Sequence, residues 1–428
     1  MADQAKISDK SYFGFQTSGL GYGVTPDKQF PDVSYVPSAA GPVRAIGTVG
    51  EEFPTAVQHG TVDSDIVMSG EAIDFVSVCY ALEAMFGTVS PTTVGVTGKQ
   101  RVYTPGTTQP RYFSNDFGDS VRFQRAIDCF LNSLHFHATL NETVFDGAGK
   151  GQLIRDSVQD GLTLAGSPTV TAQKTPDPLK SDLIIAASLS GLDSGAALGR
   201  GFVWDLNLAD RWGVIHPMNS ALAGAYDAVI RKKPGTADGQ IQLGADADGW
   251  AWLTRVSGNT IAYLRYSVFG DQIAAGTAEV QTVTMTGTSG TWVLGILGKS
   301  LTGLAWNISA AALQALINAL VVRGAKDVTV SLTTGVYTIT FPTYLGNVAQ
   351  VTTDSTGLTG GTATPATGTP GVAPVNYLFQ ADMAVAASGW PKRADMEGLD
   401  VLDIPLWMMK TATLNGCQFT VINEAATL

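Results

Sequence analysis

In NSLHFHATL, residues 132–140, Leu134, Phe136 and Ala138 fall on one side of an extended chain and His135, His137 and Thr139 on the other. Alternation with a period of two marks a strand with one buried face. Strand-like stretches of this kind recur as RYFSNDF, GQLIRDSVQ, GFVWDLNLAD, GQIQLG and GWAWLTRVSGNTIAYLRYSVFG, and resume late in VNYLFQADMAVAASGW and GCQFTVIN. Charged residues make up only 15% of the 428, and there are 48 glycines. Little charge with abundant Gly, Thr and Val favours short strands and tight turns over helical bundles, so the expected fold is mainly β. Sparse charge also suggests that part of the surface is covered by another molecule.

The first strong break in this pattern is SGEAIDFVSVCYALEAMFG, which predicts a helix. Ser69 serves as N-cap, Glu71 and Asp74 sit in the first turn, and Gly87 closes the end. Before it lies an arm, SYFGFQTSGLGYGVTPDKQFPDVSYVPS, with aromatics among glycines and prolines and no sustained period. It reads as an extended segment that packs on something. QKTPDPLKSD, residues 173–182, has linker composition and marks a boundary. Residues 278–373 differ again, being rich in Thr, Gly, Val and Ala. They read as a hairpin, a helix capped by Ser309 and stopped by Gly324, and a second hairpin around a Thr-Gly turn. The tail STGLTGGTATPATGTPG cannot build a core and reads as an edge strand or a linker.

Few residues suggest chemistry. Gly298-Lys299-Ser300 resembles the end of a phosphate loop, but the glycine required five positions earlier is Val293 and the sequence continues as a strand. A hairpin turn at Gly298-Lys299 accounts for it. His135 and His137 share a strand face, a spacing some metal sites use, with His59 or a carboxylate as a third ligand; a solvated face is the plainer reading, and no metal is expected. GADADGW, residues 244–250, echoes a calcium loop, yet Ser257 stands where the closing Glu belongs, so a turn is expected. Asp400 and Asp403 are the available pair of acids for an enzyme, such as a carbohydrate-active one on a β scaffold. No Gly-x-Ser-x-Gly, HExxH or dinucleotide fingerprint is present. The expectation is a non-enzyme without catalytic residues or cofactors.

The 26 basic and 37 acidic residues give a net charge of -11, with no dense Lys/Arg run; IRKKPG, residues 230–235, reads as a turn. A nucleic-acid grip is therefore not expected, whereas acidity suits a surface that DNA slides past without sticking. Cys79, Cys129 and Cys417 form no CxxC, and folding in a reducing cytoplasm is the economical reading. MADQAKISDK lacks the apolar stretch of a signal peptide, and LQALINALVV is too short to span a bilayer. A soluble protein made in the cytoplasm is expected, with no membrane partner.

Two segments carry a resemblance. The run EVQTVTMTGTSGTWVLGI, LAWNISAAALQALINALVVRGAKDVTV, GVYTITF and STGLTGGTAT resembles a small surface module inserted in or appended to tail and head proteins of tailed bacteriophages. The remainder is similar, more diffusely, to tail tube proteins of long non-contractile phage tails. The matching features are GLGYGVTP in the arm, ALEAMFG, RAIDCFLNSLHFHATL, and DMEGLDVLDIPLW with FTVIN.

The resemblance implies β-sandwich or barrel tube folds with flanking helices, plus the inserted α+β module. The body outside the module, about 330 residues, is large for one tube fold. Two tandem domains are therefore expected, at 1–172 and at 183–277 with 374–428, although no crisp repeat is visible. Copies would pair sheet edges into trimeric or hexameric rings, and rings would stack into a tube through loops and the arm. Tyr12, Phe13, Phe15, Tyr22, Phe30 and Tyr35 are the residues assigned to that interface. Partners would be the protein itself with tape measure, tail terminator and distal tail proteins, and phage DNA would traverse the lumen without specific binding. The location implied is the virion tail, after assembly in the host cytoplasm. The alternative is a head decoration or host-binding tail subunit that displays the module.

Overall fold

A computed structural model describes residues 10–428 apart from 18–19, 21–22, 31–32, 41–42, 47–55, 60–62, 71–72, 107, 119–121, 140, 157–160, 165–168, 171–173, 194–200, 217–225, 227, 232–235, 247–248, 252–259, 321–324 and 397–398. The fold is mainly β. The chain divides into two compact units, Met1–Thr92 with Lys99–Asp271 and Tyr377–Leu428, and Thr93–Gly98 with Gln272–Asn376.

The first unit is organised by the strand Phe123–Ala138. Its first half pairs with Phe113–Gly118 and Leu153–Asp156, and its second half with Thr143–Gly151 and Gly201–Ala209. The change of partners falls at Asp128, where the register shifts and φ is 54°. A left-handed residue inside a strand produces a bulge and a bend, and Asp tolerates that conformation better than most side chains. The Tyr226 hydroxyl donates to the Asp128 carbonyl and holds the bend. One strand thereby serves two sheets.

The larger sheet runs antiparallel through Val33–Ala40, Asp63–Gly70, Thr143–Gly151, the second half of Phe123–Ala138, Gly201–Ala209, Thr236–Gly244 and Leu399–Met408, then Val375–Ala387, Cys417–Asn423 and Gly98–Tyr103. In the smaller sheet Lys10–Phe15 lies between Lys28–Gln29 and Phe113–Gly118. The Ser11 hydroxyl joins the two sheets. It accepts from the Tyr35 N–H at 2.9 Å and donates to the Tyr35 carbonyl at 3.2 Å, helping to close a barrel. Phe136 sits at the centre of an aromatic core, with rings of Phe379 and Phe419 each at 5.3 Å and Phe145 and Trp204 just beyond.

The helix is shorter than expected. It spans Ser77–Phe86, with all ten residues buried, and Ser69 belongs to the preceding strand, paired with Ser34. Residues 63–70 alternate in burial, so the sheet captures Ser69 before a helix can start there. Asp74 does the capping instead: its carboxylate accepts from the Val76 and Ser77 N–H groups, each at 2.8 Å. Glu71 lies outside the described residues. Gly87 ends the helix as expected, with φ 91° and its N–H donating to the Glu83 carbonyl.

The expected boundary at 173–182 does not separate two bodies. Lys174 and Asp177 are hydrogen-bonded to Phe75 and Phe269, and strands from both sequence halves pair directly, Leu134–Ala138 on Trp204–Leu208. Segments 1–172 and 183–277 with 374–428, expected as two tandem domains, contribute to this unit as a single sheet system. Linker composition misleads here because Lys174 and Asp177 are held by backbone hydrogen bonds to Phe75, just ahead of the helix, and to Phe269 in the strand Ala262–Ala274.

Among the described residues the second unit has two four-stranded assemblies and one α-helix. Thr329–Thr333, Val336–Thr340, Val280–Met285 and Ala363–Thr369 form one sheet in that order; Lys299–Ala305, Ser289–Ile296 and Thr352–Asp354 form the other, joined by Leu358–Thr359. Ser309 caps the helix Ala310–Asn318, its hydroxyl accepting from the Ala312 N–H at 3.2 Å. The helix ends at Asn318, and Gly324 lies outside the described residues. Thr334-Gly335 makes the expected turn with both φ angles positive. The Thr/Gly/Pro-rich tail supplies the edge strand Ala363–Thr369. Trp292, Leu294, Leu313, Ile317, Tyr337 and Ile339 centre the core. Buried Glu279 and Gln281 pin the 348–351 segment, accepting from the Val348 and Val351 N–H groups.

Gly298-Lys299-Ser300 is part of a hairpin and not the start of a helix. Ile296 pairs with Lys299, so the turn residues are Leu297 and Gly298, one position earlier than expected, with φ 51° and 72°. Two positive φ angles match the primed turn whose twist suits antiparallel strands.

Candidate functional site

One face of the large sheet in the first unit presents long rows of register partners. Register places Ser34, Ser69, Asp146, His135, Asn207, Asp238 and Trp407 side by side in one row, ending on Ala386. Neighbouring strands lie about 4.8 Å apart, so this row spans about 34 Å. The next row reads Val144, His137, Asp205, Gln240 and Pro405, and a third Val203, Gln242, Asp403 and Lys392. On alternate positions of the same strands Leu134, Phe136, Leu206, Ile241, Ile404 and Leu406 are buried. Burial of one face fixes which side chains the other presents. Carboxylates come from four strands, Asp146, Asp205, Asp238 and Asp403, whereas Lys392 is the one Lys or Arg in these three rows.

His135 and His137 lie on this face, their rings 6.4 Å apart. His135 Nδ1 meets Asp146 at 3.1 Å and its Nε2 meets Asp205 at 3.0 Å; the same Asp205 oxygen lies 3.2 Å from His137 Nδ1. A ring with carboxylates at both nitrogens is satisfied only when both carry protons. Partial burial pulls the His135 pKa down, but the hydrogen bonds and charges of Asp146 and Asp205 outweigh it and leave it above 6.5. A raised folded-state pKa contributes stability that is complete below pH 6.5 and lost as pH climbs through the folded value. His135→Gln is therefore expected to flatten the fall in stability above pH 6.5, by well under about 1 kcal/mol because the ring is a third exposed. Urea titrations across that window measure it; identical pH slopes in both proteins would refute the bridge.

This arrangement uses the aspartates as ion-pair partners. Among the described residues no three His, Cys, Asp or Glu side chains are placed to hold a metal ion. His59 pairs with Val43 in a separate two-stranded sheet, and its side chain lies outside the described residues.

Of the six aromatics assigned to an assembly interface, the five described ones lie outside these rows. Tyr12, Phe13, Phe30 and Tyr35 are each at most 5% exposed, Phe15 is half-buried, and Tyr22 lies outside the described residues. Phe13 stacks on Phe113 at 4.4 Å, Phe15 stacks on Tyr80 of the helix at 5.2 Å, and Arg111 covers Phe15 at 3.8 Å. What the arm packs on is its own chain. The four buried rings have almost no surface left to offer a neighbour.

Asp400 and Asp403 are three apart on the strand Leu399–Met408, so they project from opposite faces and do not converge. Asp400 pairs with Arg393 at 3.2 Å and Asp403 accepts from Gln242 at 2.7 Å. Asp246 accepts from the Gly249 N–H at 3.2 Å, as a turn would have it; Asp248 lies outside the described residues. All three cysteines are buried free thiols, and burial pushes Cys79 and Cys417 up to about 12, far from a reactive thiolate.

Sequence reading found the histidine pair but not its carboxylates. Asp146 and Asp205 come from strands 11 and 68 residues away from the histidines they meet, and only the register brings them together. The one local signal was an Asp at an outward position in both VFDGAG and VWDLNL.

The class these observations define is a mainly β protein built on a broad, acid-rich sheet face. No family model matches the chain, and no curated protein matches it. Among solved structures it is similar to one from Mycobacterium phage Patience, with 19% identity over 38% of this chain and 59% of that one, at a TM-score of 0.17. The chain thus spans about three fifths of that structure's length. Momordica charantia 7S globulin is 8% identical over 78% of this chain and 84% of its own, with a TM-score of 0.08. Scores this low carry no inference about function.

Proposed function

We propose that the chain is a structural virion protein whose copies associate into rings that stack into a phage tail tube, with the acid-rich sheet face lining the lumen. The observation that supports this reading most is the continuity of that face across eight strands, with carboxylates far outnumbering fixed cations. DNA carries one negative charge per about 1.7 Å of helix axis, and a wall of like charge lets it pass without being held. The sequence resemblance to tail tube proteins points the same way. Assembly would rest on strand pairing and loop contacts between copies, and the arm aromatics would stabilise each copy from within.

The alternative, a head decoration or host-binding subunit, is favoured by one feature of the second unit. Its outer sheet face carries Thr329, Thr333, Thr338, Thr340, Thr282 and Thr284 in register, with Ser331 among them and no charged side chain. Exposed faces normally carry charge, so a neutral one is suited to contact. Deleting 278–373 separates the two readings. Under the tube reading, negative-stain images of the deletion protein show the same rings and tubes as the full chain. Loss of host attachment with assembly intact would favour the alternative.

A further inference from the structure

Farther along the same sheet system, an open groove of about 740 Å³ crosses the strands Gly98–Tyr103, Cys417–Asn423, Val375–Ala387 and Ala262–Ala274, with residues 187–193 along one side. This volume falls in the range of small-ligand sites, ~300–1,000 Å³. Its floor is a sheet face whose backbone groups are already spent. Gln380 and Asp382 pair with Thr420 and Gln418, and Tyr263 and Arg265 pair with Ala186 and Ile184. A peptide cannot add there as a further strand, so recognition falls to side chains.

Those side chains define a ligand. Among the described lining residues Arg265 is the one cation, and it is already neutralised: Nε and Nη2 donate to the Asp382 carboxylate at 2.6 and 3.0 Å, and Nη1 donates to Asp193 at 2.9 Å. Asp382, almost wholly buried, also accepts from the Gln380 amide at 3.0 Å. Two carboxylates against one guanidinium leave nothing for a phosphate to pair with. The rest of the polar lining is neutral: amides of Gln100, Gln380 and Gln418, and hydroxyls of Ser188, Ser190 and Thr413. Hydroxyls and amides both donate and accept, as a sugar hydroxyl does. Val102, Leu189 and Leu378 supply apolar surface between them, and Tyr263 presents a ring whose hydroxyl is tied to Thr413 at 3.2 Å. Carbon-bound hydrogens on one side of a pyranose ring need such a surface.

We infer that this groove is a binding site for a short neutral oligosaccharide, distinct from the acid-rich face and from any role of the second unit. The test uses the full chain with maltotetraose and cellotetraose as probes, in saturation-transfer NMR with titration calorimetry. At least one sugar is expected to bind with a Kd near or below ~1 mM. Affinity should be unchanged between ~50 and ~500 mM NaCl, because no net charge is recognised. The double variant Gln380→Ala/Gln418→Ala and the rim variant Ser190→Glu should each weaken binding at least tenfold while melting like the parent. His135→Gln, outside the groove lining, should bind as the parent does. Absence of transfer to both sugars from the folded chain overturns the inference. So does undiminished binding by both folded groove variants, or tighter binding of inorganic phosphate than of either sugar.

Discussion

Replacing Asp116 with alanine is expected to cost the first unit about 3–5 kcal/mol, enough to remove a large share of an ordinary domain's stability. Arg125 and Asp116 form a two-pronged pair, Nε to Oδ1 and Nη2 to Oδ2, both at 2.6 Å, with side chains 9% and 1% exposed. They come from adjacent strands, as register partners, in the sheet that holds the arm. Taking away the carboxylate leaves a buried guanidinium whose remaining hydrogen-bond partners, among the described residues, are the Thr163 carbonyl at 3.1 Å and the Thr25 hydroxyl at 3.4 Å. Arg125→Met in the same chain removes that stranded charge, so the double variant should recover much of the loss. Chemical denaturation of the parent, both single variants and the double variant gives the comparison. If Asp116→Ala costs under about 1 kcal/mol, the pair is not buried as described.

Trp292→Ala should be comparably damaging in the second unit. Trp292 is 1% exposed, lies 6.0 Å from the Tyr337 ring, and donates from Nε1 to the Ala305 carbonyl at 3.2 Å across its own hairpin. Truncating a buried Trp removes its transfer energy, leaves a cavity and strands a carbonyl, for about 3–5 kcal/mol. In a unit of about a hundred residues each kcal/mol shifts the midpoint by ~4–8 °C, so a drop of roughly 15 °C or more is expected. Hydrogen exchange at Leu294 and Ile339, core residues of its two sheets, should accelerate together. Retained protection at both amides would show that this tryptophan does not organise the core.

Local patterns in the chain were legible wherever one face of a strand is buried. Leu134, Phe136 and Ala138 point inward as their alternation requires, the Thr334-Gly335 turn and the Ser309 cap lie where turn and cap chemistry put them, and the first hairpin's turn is off by one residue. Failures came where a distant partner decided the outcome. Ser69 has the chemistry of a cap, yet pairing with Ser34 and Asp146 holds it in a strand. The polar run at 174–182 reads as a linker because its partners, Phe75 and Phe269, lie about a hundred residues off on either side. The arm aromatics read as an interface because a short irregular segment carries no sign of which surface receives it. Likewise Asp146 and Asp205 become partners of His135 only through strand register, which no window of sequence contains.

In the proposed tube the working object is a polymer whose bore is walled by the sheet face around Asp146, Asp205, Asp238 and Asp403. Electron cryomicroscopy of the purified full chain, concentrated alone and with tail partners supplied, tests it most directly. Hollow tubes of stacked rings in which these four aspartates face the channel are expected. Compact single copies under every condition, or tubes in which that face lies buried between subunits, would contradict it.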